Sequence, residues 1–142
     1  MSEKVLLVDD EVEFLDTLSE RMRARGMNVV TSSTSSEALK KVEKESYDVI
    51  ILDLMMPGVD GLETLKVLKE KNPDLQIILL TGHATVEKGI EAMKLGAMDF
   101  LEKPADISKL TEKIKKAQAK RMLIVEKKTE EKIKNLLGEK AW

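Results

Sequence analysis

A chain of 142 residues, 42% hydrophobic and 35% charged, has the size of one ordinary domain with a real core and a well-solvated surface. It contains no cysteine, which excludes a disulfide framework, a thiolate metal site and a Cys nucleophile together, and fits a reducing compartment. Net charge is −2 but unevenly placed: Met1 to Pro104 carries 13 Lys+Arg against 20 Asp+Glu, and Ala105 to Trp142 carries 11 against 6. An acidic body argues against broad nucleic-acid binding, which needs a basic footprint.

No stretch approaches the ~20 apolar residues of a membrane span, and no basic segment followed by an apolar run opens the chain. A soluble, cytoplasmic protein is expected. With only 3% aromatic residues, the core must be built from Val, Ile, Leu, Ala and Met. The eight methionines read first as core filler.

In chain order, Val5–Val8 is the first apolar run and reads as a strand. Phe14, Leu15, Leu18 and Met22 then recur at helical spacing, and Gly26 follows that helix. A second strand is expected at Val29–Thr31. A second helix carries Ala38, Leu39 and Val42, with Thr34, Ser35 or Ser36 as its cap and Glu37 in its first turn. Val49–Leu52 is the third strand, followed by a helix through Leu62, Leu65 and Leu68 that ends at Asn72-Pro73. Ile77–Leu80 is the fourth strand, and a helix with Val86, Ile90 and Met93 runs to Gly96. Asp99–Leu101 is the fifth strand.

The third and fourth runs, VIIL and IILL, are continuous rather than alternating, as in strands buried on both faces of a parallel sheet. Strand–helix alternation repeated five times predicts an α/β fold, a doubly wound five-stranded parallel sheet with helices on both faces. In such sheets ligands sit outside the carboxyl ends of the strands. The residues just past each apolar run are therefore the informative ones.

After the first strand come Asp9, Asp10 and Glu11; after the third, Asp53; after the fourth, Thr81 and Gly82; after the fifth, Lys103 and Pro104. Carboxylates from two neighbouring strands repel and raise one another's pKa unless something compensates. A hard cation with oxygen ligands does so, and Mg²⁺ bound by a few carboxylates keeps open positions for a phosphoryl donor. Helix capping would account for Asp9 and Asp10 alone, but not for Asp53. Asp53 can serve as metal ligand and as a nucleophile that forms an acyl phosphate. The charge on the phosphoryl oxygens then needs neutralising, which Lys103 can do as a point charge and the Thr81 hydroxyl by hydrogen bonding.

These residues resemble the receiver domains of bacterial two-component response regulators. The resemblance runs from about Lys4 to about Lys120. It rests on Asp9-Asp10, on Asp53-Leu54-Met55-Met56-Pro57 with Gly61, on Thr81-Gly82, and on Phe100-Leu101-Glu102-Lys103-Pro104. It implies a flavodoxin-like strand order 2-1-3-4-5 and a domain over residues 1–120, which leaves residues 121–142 as an extension that the spacing below reads as helical. It implies that Asp53 is phosphorylated, in a Mg²⁺-dependent reaction in which Mn²⁺ can substitute. Asp9, Asp10, Asp53 and the backbone carbonyl of Met55 would be the metal ligands, and Lys103 would pair with the phosphoryl group. Thr81 would swing toward that group and Phe100 would turn inward, reshaping the face made by the fourth helix, fifth strand and fifth helix.

The donor implied is a sensor histidine kinase or a phosphotransfer protein. Such a domain is a phosphoacceptor that catalyses its own phosphorylation and dephosphorylation, not a turnover enzyme. Met55, Gly82 and His83 would flank the phosphoryl group and tune its lifetime. An apolar Met55 cannot orient an attacking water, so a fairly long-lived phosphoryl-aspartate is expected. His83, the sole histidine, does not resemble a kinase's phosphoacceptor histidine and reads as a loop residue.

Beyond the body, Ile107, Leu110, Ile114 and Ala117 lead into Met122-Leu123-Ile124-Val125, Thr129, Ile133 and Leu136 at helical spacing. Glu112/Lys116 and Glu130/Lys134 are favourable i,i+4 pairs. One unbroken fifth helix is expected, with an apolar stripe that nothing in the body covers. Homodimerisation, through this helix or through the switching face, is the first expectation. Folding back on the body and a linker role are the others, and Lys interleaved with Glu argues against DNA contact.

A flavodoxin-like FMN carrier would share the fold, but three acids after the first strand would repel its phosphate. A haloacid-dehalogenase-like phosphatase needs a second acid two residues after the nucleophile, where this chain has Met55. A binding or dimerisation module with a receiver fold that works without phosphorylation is the remaining rival.

Overall fold

The computed structural model describes residues 2–56, 60–82 and 86–140. Ten elements alternate: β1 (Lys4–Val8), α1 (Val12–Ala24), β2 (Asn28–Ser32), α2 (Ser35–Lys44), β3 (Val49–Leu52), α3 (Gly61–Lys71), β4 (Gln76–Thr81), α4 (Val86–Lys94), β5 (Asp99–Glu102) and α5 (Ile107–Lys140). The five strands form one parallel sheet in the order β2-β1-β3-β4-β5. The predicted fold class and strand order hold.

Alternation along each strand sorts the core into two halves. On one face Leu6, Val8, Ile50 and Leu52 pack under Ala38 of α2, Leu65 and Leu68 of α3 and Ala92 of α4. On the other Val5, Leu7, Val49 and Ile51 pack under Leu15, Leu18 and Met22 of α1 and Leu110, Ile114 and Ala117 of α5. β3 and β4 are buried at every residue, which is why their runs are uniformly apolar.

The punctuation works by identifiable chemistry. Gly26 and Gly96 take positive φ after α1 and α4, a conformation that costs glycine nothing. Thr34 is the cap of α2, accepting from the Glu37 backbone N–H at 3.1 Å. Asp60 caps α3 by accepting from Leu62 N–H.

One stripe meets solvent, and one expectation needs correcting. Ile90 and Met93, at helical spacing on α4, are 51% and 47% exposed, and α4 instead buries Ala92. Periodicity finds an apolar stripe without saying whether a sheet or solvent faces it. The methionines are not uniformly filler either: Met22, Met27 and Met56 are buried, while Met55, Met93 and Met122 are exposed. α5 is one helix of 34 residues, slightly longer than its pattern suggests, and it crosses residue 120 unbroken.

Candidate functional site

Parallel pairing carries the ends of β1, β3, β4 and β5 to one edge of the sheet. Backbone bonds extend the ladders one residue past the strands. Asp9 N–H donates to Ser32 C=O at 3.1 Å, Asp53 N–H to Val8 C=O at 3.1 Å, and Lys103 N–H to Thr81 C=O at 3.0 Å. The backbones of Asp9, Asp53 and Lys103 are thus tied into the sheet's own ladders. Gly61 tightens the arrangement: a Cβ there would collide with the Leu54 carbonyl oxygen, so α3 packs directly on the turn after Asp53.

The side chains then converge. Oxygens of Asp9, Asp10 and Asp53 all lie within 4.8 Å of one another. Asp9 and Asp53 are buried, at 1% and 3% exposure, and Asp10 is half-buried. Each buried carboxylate divides its labour in the same way. Its Oδ1 accepts from the N–H two residues on, Glu11 for Asp9 and Met55 for Asp53, both at 2.9 Å. Its Oδ2 faces the Lys103 ammonium, at 2.6 Å from Asp9 and 3.4 Å from Asp53.

Lys103 also lies 3.5 Å from Glu11 Oε1, and its ammonium sits 4.3 Å from the centroid of the Phe14 ring. Burial lowers its pKa, but the hydrogen bond to Asp9 and the charges of Asp9, Asp53 and Glu11 outweigh burial and hold it above the ordinary lysine value. Asp9 goes the other way. Burial pushes its carboxyl above the usual range, helped by the Asp53 charge, and Lys103 with the Glu11 N–H only partly restores it. The two directions agree once the charges are counted: the lysine has three acids beside it, whereas Asp9 shares one lysine with the others.

That imbalance is the test of whether a divalent cation fits. Three carboxylates with an oxygen each inside 4.8 Å form an all-oxygen donor set, the chemistry of Mg²⁺ rather than of softer metals. One ammonium does not neutralise them. The donor set fits.

Of the residues singled out from sequence, Asp9, Asp10, Asp53 and Lys103 come together. Thr81 is fully buried at the end of β4, and Gly82 follows it, with a Cβ there 4.0 Å from Lys103 Cδ. Met55 is exposed beside the site, its sulfur 3.3 Å from Lys88 Nζ. Phe100 lies on β5, half-buried against the α2–α4 side of the core and close to Gly89 of α4. His83 and Pro57 lie outside the described residues. Glu11 was among the acids read at the first strand end, whereas sequence reasoning missed Phe14 and Lys88 as neighbours of the site. Phe14 belongs to the apolar stripe of α1, so its spacing marks it as core and hides its place under Lys103.

The chain matches the family model for the response regulator receiver domain over residues 5–115. It is 37% identical over 115 residues to the transcriptional regulatory protein ZraR of Salmonella typhimurium, covering 81% of this chain and 26% of that protein. It therefore spans about a quarter of the length of the curated relatives it matches. The crystal structure of a response regulator receiver domain protein from Clostridium thermocellum is similar at TM-score 0.81 and 34% identity, covering 86% of this chain and 98% of that one. A response regulator protein from Burkholderia pseudomallei, crystallised with a phosphorylated aspartic acid, a calcium ion and citrate, is similar at TM-score 0.75 and 30% identity, over 86% of this chain and 74% of that one.

Proposed function

Because the chain belongs to the response regulator receiver domain family, we propose that it accepts a phosphoryl group on Asp53 and passes the change to the α4-β5-α5 face. The observation that carries this reading is the meeting of Asp53 with Asp9, Asp10 and Lys103 at the end of the sheet. A similar response regulator holds a phosphorylated aspartic acid and a calcium ion, which supports the same chemistry here. In this reading residues 1–120 act as the phosphoacceptor unit, and the part of α5 from Arg121 to Lys140 extends beyond it.

Asp9, Asp10, Asp53 and the Met55 carbonyl would hold Mg²⁺, or Mn²⁺ in its place. The cation would supply charge neutralisation for phosphoryl oxygens in a site already too acidic to receive them. An Asp53 carboxylate oxygen attacks phosphorus as the P–N bond of a phosphohistidine breaks, and the imidazole leaves with that electron pair and takes a proton from solvent. Lys103, nearest Asp9 in this structure, turns its ammonium to the new phosphoryl oxygens. The Met55 N–H, already donating to Asp53 Oδ1, keeps the carboxyl oriented during attack.

Phosphorylation adds charge near −2 and three acceptor oxygens. The Thr81 hydroxyl reaches them in only one of two packings, so the group shifts a population rather than pushing a lever. Phe100, half-buried beside Gly89, is the side chain that follows Thr81 inward. The donor is a sensor histidine kinase or a phosphotransfer protein, and the chain acts as a phosphoacceptor assisting its own modification.

Incubation with acetyl phosphate and Mg²⁺ should add the mass of one phosphoryl group, and Asp53→Asn should abolish the gain. If no donor phosphorylates the wild-type chain, a phosphorylation-independent binding module becomes the better reading.

A further inference from the structure

A lysine that neutralises a phosphoryl group has to stay close to the reacting carboxylate and still be able to leave its resting partners. Lys103 is fixed at its base, where its backbone N–H donates to Thr81 C=O at 3.0 Å, and its stem runs past Gly82. Four flexible carbons separate that anchor from the ammonium. The passage from β1 into α1 supplies most of what surrounds the head. Asp9 Oδ2 stands 2.6 Å from it and Glu11 Oε1 3.5 Å, while the ammonium lies over the Phe14 ring, 4.3 Å from its centroid. Asp53 Oδ2, just past β3, is 3.4 Å away. Glu11 is the N-cap of α1, and Phe14 three residues on shares its side of the helix. The ring is half-buried and packs against the core cluster that holds Leu15, Leu18 and Met22, so the core sets its position.

Three of these four partners are anions whose hold on the ammonium changes during the reaction. A cation drawn to Asp9 and Asp53 competes with it for the same oxygens. A phosphoryl group on Asp53 offers it new acceptors. The ring has no such competitor, and its pull comes from the whole π-face rather than from one lone pair, so the ammonium can shift without losing it. The Lys103 side chain is only 11% exposed, which leaves that attraction weakly screened. A carboxylate in place of the ring would tether the ammonium at one point and add charge to a site already too acidic.

We propose that Phe14 is a positioning residue for phosphoryl transfer: its ring keeps the Lys103 ammonium within reach of Asp53 as the ammonium moves from Asp9 to the phosphoryl oxygens. The inference rests on Asp53 being the phosphoacceptor.

Fluorinated phenylalanines placed at position 14 weaken the ring face stepwise while keeping its shape and apolar character. With acetyl phosphate and Mg²⁺, the rate of Asp53 phosphorylation in the full chain should fall with each added fluorine, by up to about 30-fold for the pentafluoro ring. Phe14→Leu, apolar but without a face, should be as slow, and Tm should not fall in the fluorinated series. In NMR spectra the Lys103 ε-protons should stand upfield of those of other lysines through the ring current. They should do so both in the metal-free chain and with Mg²⁺ and beryllium fluoride bound. A packing role alone predicts one rate across the fluorinated series, and that result would overturn the proposal. So would ε-protons that return to the ordinary lysine position when beryllium fluoride binds. A wild-type chain that no donor phosphorylates would remove the premise, whereas a phosphorylated wild type with an insensitive series removes only the role of Phe14.

Discussion

Two carboxylate sites stand at opposite ends of the same sheet, and they solve the cost of burial in opposite ways. At the entry to β3, Asp48 accepts from Lys4 N–H at 2.9 Å, from the Gln118 side-chain amide at 3.3 Å and from the Arg121 guanidinium at 3.1 Å. One carboxylate meets one guanidinium and two further donors, so its charge is balanced within the fold. At the other end Asp9, Glu11 and Asp53 converge on a single ammonium, with Asp10 beside them. The first arrangement is a clamp that seats α5. The second lacks positive charge, so the body carries there a cost that a cation or a phosphoryl–cation pair would remove.

The largest effect that could break this contrast is ligand linkage. Mg²⁺ at 100 times its Kd should stabilise the fold by about 2.7 kcal/mol, read as a rise in Tm that chelation reverses. Asp9→Asn, which removes one ligand and one buried charge, should shrink that rise while leaving metal-free stability no lower than wild type. An undiminished rise would mean that the cation sits elsewhere. Next in size, Arg121→Met should cost about 2 kcal/mol, because it strands a mostly buried Asp48 carboxylate. Its urea midpoint should fall while the Mg²⁺-dependent rise stays whole. A midpoint equal to wild type would show that the clamp does not hold α5.

A third test sharpens the contrast through pH. Burial raises the Asp9 carboxyl above its ordinary value of 3.8, so the fold prefers the protonated form. Its stabilising contribution is fully present below 3.8 and is lost as pH rises through the folded value. Metal-free wild type should therefore lose stability relative to Asp9→Asn over that window. Urea midpoints of both proteins across it would run parallel if Asp9 were unperturbed.

How much of this was legible in the chain depends on how local the cause is. VIIL and IILL announced a parallel sheet because burial on both faces is written into consecutive residues. The acids after β1 and β3 were legible because strand ends in such a sheet must converge. The Asp48–Arg121 pair joins residues 73 apart, and neither has neighbours that mark it. Phe14 under Lys103 was hidden for a related reason, since its spacing serves α1 as well. Ile90 and Met93 show the converse case, a correct periodicity with the wrong environment. Pattern reports which residues share a face; only the packing of other elements decides what that face meets.

The smallest effect tests the premise that burial, not charge pairing as such, separates the two ends. Glu112 and Lys116 form an i,i+4 pair on α5 at 3.6 Å, with both side chains 68% exposed. Water screens such a pair, and ordering two long side chains offsets much of its attraction. Glu112→Ala should therefore change the stability read from urea unfolding by no more than about 0.5 kcal/mol, against the larger loss expected for Arg121→Met. If both substitutions cost the same, the Asp48 clamp is an ordinary surface pair, and the contrast between the two ends of the sheet would have to rest on the number of charges alone.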